Sequence, residues 1–215
     1  MTGVCLAGLG VDLGGQPIVR LDRTVEPGMV LTLMGPSGSG KSTAIAAILG
    51  TLEPAFRMHG RIRLDGADIT DRPLSDRRIG VMFQDDLLFP HLSVAGNLAF
   101  ALPRAIRGAA RRAAVEAALE AAEIPGYGAR DPASLSGGQR ARVSLMRALL
   151  AEPKALLLDE PFSRLDVALR DRMREFVFDL VRGRGLPAIL ITHDPQDARA
   201  AGGPVLSPLG EVLSV

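Results

Sequence analysis

The segment GPSGSGKST at residues 35–43 constrains this chain more than any other. It follows a short apolar run, MVLTLM (29–34), which reads as a buried strand. It leads into STAIAAILG, whose composition suits a helix ended by Gly50. Strand, glycine loop and helix in this order fit the pattern G-x-x-x-x-G-K-[ST]. Glycines let the backbone curl until successive N–H groups point at one anion. The helix that follows offers its unpaired donors and positive dipole end to the same place. The unit predicts a phosphate cradle made of Gly35, Pro36, Ser37, Gly38, Ser39, Gly40, Lys41, Ser42 and Thr43, with the Ser42 hydroxyl available to Mg2+.

The use of lysine supports this. Of 25 basic residues only Lys41 and Lys154 are lysine. The chain takes arginine wherever either would serve, and a compact ammonium is what β- and γ-phosphates in a tight loop require. The loop alone does not choose among kinases, GTPases and ATPases.

A second constellation ends the apolar strand ALLLD (155–159). Asp159 suits a magnesium ion that is held partly through waters. Glu160 is placed to orient and deprotonate an attacking water. Pro161 predicts extended backbone at Glu160 and prevents a helix from starting there. Without a phosphate loop from the same sheet, two acids at a strand end would read as ordinary solvated carboxylates.

Around these motifs the chain reads as alternating strands and helices. IVRLDRTV (18–25) alternates as a half-buried strand, and GRIRL (60–64) and IGVMF (79–83) are two more short strands. From 93 to 150 the pattern is helical, with strong helix formers at 109–123 and a further helix from about Gly137 to Ala151. On that last helix Arg140 and Arg147 lie one heptad apart and read as a solvated face. An amphipathic helix at 167–182 and a buried strand, PAILIT (187–192), follow. The expected fold class is α/β: a P-loop NTPase with a mainly parallel core sheet, an N-terminal antiparallel β portion and an inserted helical subdomain. The expected division is one domain, 1–215, with a core subdomain of 1–84 and 149–215 and a helical subdomain of 85–148.

Composition excludes several classes. Acids and bases nearly cancel, at a net charge of +1, so no broad nucleic-acid surface is expected. The single cysteine, Cys5, cannot form an internal disulfide and reads as a small buried or half-buried hydrophobe. No apolar run approaches the roughly 18 residues of a membrane span. The N-terminal residues carry no basic leader and do not read as a secretory signal.

Residues 135–139, Leu-Ser-Gly-Gly-Gln, resemble the signature of the ABC ATPases. The other pieces occur in that family's order: GPSGSGKST, Gln84, LSGGQ, ALLLDE (155–160), SRLD (163–166) and His193. The resemblance covers essentially the whole chain. It implies an ATP- and Mg2+-dependent ATPase in which two subunits meet head to tail, as a homodimer. Ser136, Gly137, Gly138 and Gln139 of one copy would cap the γ-phosphate held by the other's loop, with Asp166 at the seam. Gln84 would sense γ-phosphate and, with Ser42 and Asp159, the metal. His193 would contact the γ-phosphate and position Glu160 or the water. His59 and His91 match no motif.

FPHLSVAGNLAFAL (89–102) resembles the segment of bacterial importer ATPases that receives the membrane subunit. FQDDLLF (83–89) and EPFSRLDVALRD (160–171) resemble the YnjD-type ATP-binding subunits. These likenesses imply permease partners, a substrate-binding protein in the full transporter, and a cytoplasmic location on the inner face of the membrane. A non-transport ABC ATPase is the alternative. A kinase using only the phosphate loop would leave LSGGQ and His193 without a role. One departure stands out. No aromatic residue precedes Phe56, where many members of the family place a residue that stacks on adenine. The matching neighbourhood, Val11–Leu13, predicts aliphatic contact from Leu13 and weak choice between ATP and GTP.

Overall fold

The computed structural model describes residues 3–215 as two sheets joined by helices. The first sheet is antiparallel. It contains β1 (Val4–Leu13), β2 (Gln16–Val25), β4 (Phe56–Leu64) and the two-residue β5 (Ala67–Asp68), in the order β2-β1-β4-β5. The second holds β3 (Val30–Met34), β6 (Ile79–Met82), β7 (Ala155–Asp159), β8 (Ala188–Thr192) and β9 (Val205–Leu206), in the order β6-β7-β8-β3-β9. Every pairing in this second sheet is parallel. Its central strands are buried along almost their whole length, which explains their unbroken apolar sequences.

Six helices accompany the sheets in the described residues: α1 (Lys41–Leu49), α2 (Val94–Ala101), α3 (Gly108–Ala121), α4 (Gly137–Leu150), α5 (Val167–Gly183) and α6 (Pro195–Ala201). Two hydrophobic clusters lie on the sheet's two sides. In one, Leu31, Leu33, Leu157 and Ile191 pack with α1 and the antiparallel sheet. In the other, Leu156, Leu158 and Leu190 pack with α4, α5 and the α2–α3 pair. The helical stretch between β6 and β7 thus shares a core with the parallel sheet. Phe162 and Phe178 are fully buried there, edge to face with centroids 5.8 Å apart. Burying a side chain of this size contributes about 1.5–3 kcal/mol.

The sheet order positions the site. β3, β8 and β7 are adjacent, and their carboxyl ends carry the phosphate loop, His193 and Glu160 respectively. Open parallel sheets bind ligands at such ends because the loops there converge.

The helix after the loop is fastened at its far end. Gly50 adopts φ 72° and closes α1, with its N–H donating to Ala46 and Ala47 carbonyls. The buried Arg77 donates to the Ile48 carbonyl at 2.7 Å, the Thr70 carbonyl at 2.6 Å and the Arg72 carbonyl at 2.8 Å. A guanidinium at a helix C-terminus complements the dipole, and each charge-assisted bond of this kind contributes about 1.5–3 kcal/mol.

Candidate functional site

The loop from Gly35 to Gly40 wraps the start of α1. Gly38 and Gly40 have φ of 78° and 102°, values that side-chain-bearing residues rarely adopt. A Cβ on Gly35 would lie 2.7 Å from Ser39 Oγ, so a side chain there would displace that hydroxyl. The first turn of α1 leaves its N–H groups without intrahelical partners. Lys41 Nζ donates to the Gly35 and Pro36 carbonyls at 2.7 and 2.8 Å, folded over the loop it serves. Ser39 Oγ is buried with no hydrogen-bond partner. An orphaned hydroxyl inside a ring of backbone donors fits a polyanion seated in the loop.

This loop opens on a cleft of about 710 Å3 lined also by Leu13, Ile18, Phe56, Glu160 and His193. His193 Nδ1 lies 3.2 Å from Glu160 Oε1. Asp159 is the last residue of β7, directly before Glu160. Burial, with the neighbouring Glu160 charge, pushes its carboxyl above the ordinary range, and Lys41 opposes the shift. An added cation would favour its ionised form. Asp159 and the Ser42 hydroxyl are oxygen donors of the kind magnesium takes, and Ser42 lines the cleft, whereas Gln84, expected with them, does not line it.

Glu160 departs from expectation. Its φ is 44°, in the left-handed region, where extended backbone was predicted from Pro161. A tight turn explains this: the Glu160 carbonyl accepts from Ser163 N at 3.2 Å and Ser163 Oγ at 2.9 Å, while its own N–H donates to Ile191 O at 2.9 Å. These bonds hold the strained backbone in place at the strand end.

The signature forms a helix start. Ser136 Oγ accepts from Gln139 N, and Gln139 Oε1 accepts from Ser136 N at 2.9 Å, a reciprocal cap on α4. A Cβ on Gly138 would lie 2.7 Å from the Leu169 side chain, so α4 and α5 begin in close contact. Asp166 caps α5 through Leu169 N at 2.9 Å. Neither Ser136–Gln139 nor Asp166 lines the phosphate-loop cleft of the same chain. Gln84 and Gly137 face a separate cleft of about 440 Å3, shared with Asp85, Asp86 and Arg140.

Two further expectations are corrected. Arg140 and Arg147 are not a solvated face. Arg140 donates to Leu135 O at 2.6 Å and to Asp86 Oδ2 at 3.3 Å. Arg147 donates to Leu87 O at 2.8 Å and Asp86 O at 3.2 Å and lies over the Phe89 ring. Both tie α4 to the segment after Gln84, a non-local pairing that helical periodicity cannot reveal. The second correction concerns the wall beside Leu13, which is not purely aliphatic. Phe56 opens β4 directly opposite Leu13 on β1, and both line the cleft. Antiparallel register brings this aromatic in from 43 positions downstream of Leu13.

Glycine cradle, strand-end carboxylates and a capped glycine helix start define a P-loop ATPase of the ATP-binding-cassette class. Residues 18–163 match the family model described as ABC transporter, and the chain belongs to that family. It is similar to the uncharacterized ABC transporter ATP-binding protein YnjD of Escherichia coli (strain K12), with 52% identity over 85% of this chain and 84% of that protein. It is 41% identical to the Fe(3+) ions import ATP-binding protein FbpC 1 of Rhizobium meliloti (strain 1021), over 88% of this chain. It spans 53% of that relative's length. Among solved structures, cbiO1 from Clostridium perfringens, described as part of the ABC transporter complex cbiONQ, superposes with a TM-score of 0.82 at 26% identity, covering 98% of this chain and 86% of that one.

Proposed function

We propose that the chain hydrolyses ATP with magnesium as one half of a head-to-tail homodimer that drives a binding-protein-dependent importer. One observation carries this reading: the phosphate loop, Glu160 and His193 share a cleft that the signature of the same chain does not reach. A second copy would bring its Ser136–Gln139 and Asp166 to the open side. The capped start of α4 would then present backbone donors and a helix dipole to the γ-phosphate.

The chemistry follows from the residues. Lys41 and the loop N–H groups hold the β- and γ-phosphates. Glu160 accepts a proton from the attacking water as oxygen bonds to the γ-phosphorus and the bond to the bridging oxygen breaks. ADP and phosphate leave. His193, against Glu160, keeps the carboxylate and the water in line. Ser42, Asp159 and Gln84 would hold magnesium, which would supply charge neutralisation at the phosphates.

The base would rest against Leu13 and Phe56. Base–aromatic stacking contributes about 1–3 kcal/mol and tolerates every base. Phe56→Ala is therefore expected to raise the Kd of ATP and of GTP alike, by about tenfold. Titration of the full chain with fluorescent analogues of both nucleotides checks this. Unchanged affinity would remove Phe56 from the base site.

Leu87, which shares a cleft with Gln84, and Phe100, which packs on the Phe89 ring, are both exposed and suit a permease docking surface on the inner face of the membrane. No helix among the described residues is long and apolar enough to cross the bilayer itself. The helical stretch 85–148 would serve as the coupling subdomain and 1–84 with 149–215 as the catalytic one. Affinity capture of the full chain from detergent-solubilised membranes of its own cells should recover a polytopic membrane protein whose presence raises ATP turnover. Recovery of the chain without any such partner would favour a non-transport ATPase.

A further inference from the structure

We propose that Arg170 and Arg174 of α5 are positioning residues that hold His193 against Glu160 by clamping the carboxylate of its neighbour, Asp194. The inference rests on the reading that Glu160 and His193 serve hydrolysis. Arg170 and Arg174 are one helical turn apart and project from the same face. Arg174 is buried, with its side chain 5% exposed. It donates through Nη2 to Asp194 Oδ2 at 2.8 Å, through Nε to Asp197 Oδ1 at 2.7 Å, and through Nη1 to Asp171 Oδ1 at 2.7 Å and Gln196 Oε1 at 3.2 Å. Arg170 Nη1 reaches the same Asp194 oxygen at 3.2 Å.

The network fixes the backbone on both sides of His193. Asp197 Oδ2 accepts from Thr192 Oγ at 2.5 Å, and Thr192 Oγ in turn accepts from Asp194 N at 3.0 Å. Asp194 is pinned from the other direction by the two arginines. Burial works to raise its carboxyl, yet the Gln196 N–H and both guanidiniums outweigh it and hold it below the ordinary carboxylate range. The His193 side chain is 62% exposed. So open a ring takes its position from its backbone more than from packing around it.

A buried ion cluster need not add net stability, since apolar replacements of equal volume are often as stable. Here the geometry links two functional segments. Arg170 Nη2 donates to Leu165 O at 3.0 Å, the carbonyl immediately before Asp166. A single helix therefore joins the segment expected at the dimer seam to the loop that carries His193.

The test uses the full chain. Arg170→Met is expected to lower kcat by about tenfold, with ATP Kd changed by less than about twofold, because misplacement affects the transition state and not nucleotide capture. In a His193→Ala background the same change should cost less than about twofold more, because the residues act as a unit. The chain has three histidines, so ring proton resonances can be followed singly by NMR. Arg170→Met and Arg174→Lys should move the His193 resonance and leave His59 and His91 in place. Arg182→Met, which removes only an exposed pair with Asp179 on the same helix, should move none of them. An unmoved His193 resonance with wild-type kcat, or a full additional loss in the His193→Ala background, would overturn the clamp alone. Wild-type turnover in His193→Ala itself would overturn the reading of His193 and the clamp with it.

Discussion

Exchanging Glu160 for glutamine is expected to lower kcat for ATP hydrolysis by about 10²–10⁴-fold, the range assigned to a general base. Nucleotide affinity should change little. The substitution keeps the side chain's size and leaves in place the turn that holds residue 160 at φ 44°. It also keeps the backbone bonds to Ile191 and Ser163. What it removes is proton-accepting capacity beside His193 and the like-charge neighbour of Asp159. ATP-bound dimers should then accumulate, because hydrolysis is what releases them. Single-turnover kinetics and light scattering with ATP and magnesium check both parts. Hydrolysis at the wild-type rate would remove Glu160 from its role.

Lys41→Ala acts earlier, at binding. Its ammonium is the one lysine charge in the cradle and already sits over the Gly35 and Pro36 carbonyls. Hydrogen bonds to charged groups contribute about 1.5–3 kcal/mol each, so the Kd for ATP should rise by about tenfold to a hundredfold or more. Calorimetric titration measures it, with thermal unfolding as the control for loop collapse. Unchanged affinity would count against the loop as the phosphate site.

Much of the site is written locally in the sequence, for physical reasons. The phosphate loop needs its glycines at fixed spacing, and those glycines adopt the conformations the motif demands. β3, β7 and β8 are buried on both faces, so their apolar runs mark them within a residue of where they lie. Capping by Ser136 and Gln139 is also local, three residues apart.

The rest depends on partners distant in the chain. β1 is hard to read because its register shifts between Leu6 and Leu9, breaking the alternation that marks a strand. β5 and β9 have two residues each, too few for any period. Phe56 enters the cleft only through pairing with β1. Arg140 and Arg147 have helical spacing that suits a wet face, yet the segment after Gln84 folds over them. Glu160 takes positive φ against the preference set by Pro161 because the turn to Ser163 and the bond to Ile191 outweigh it.

A crystal structure of the Glu160→Gln chain grown with ATP and magnesium tests the central claim most directly. The account requires triphosphate gripped by residues 35–43 of one copy and covered by residues 136–139 of the other. A nucleotide bound in an isolated copy, or two copies packed with their α4 starts turned away from each other's phosphates, would contradict it.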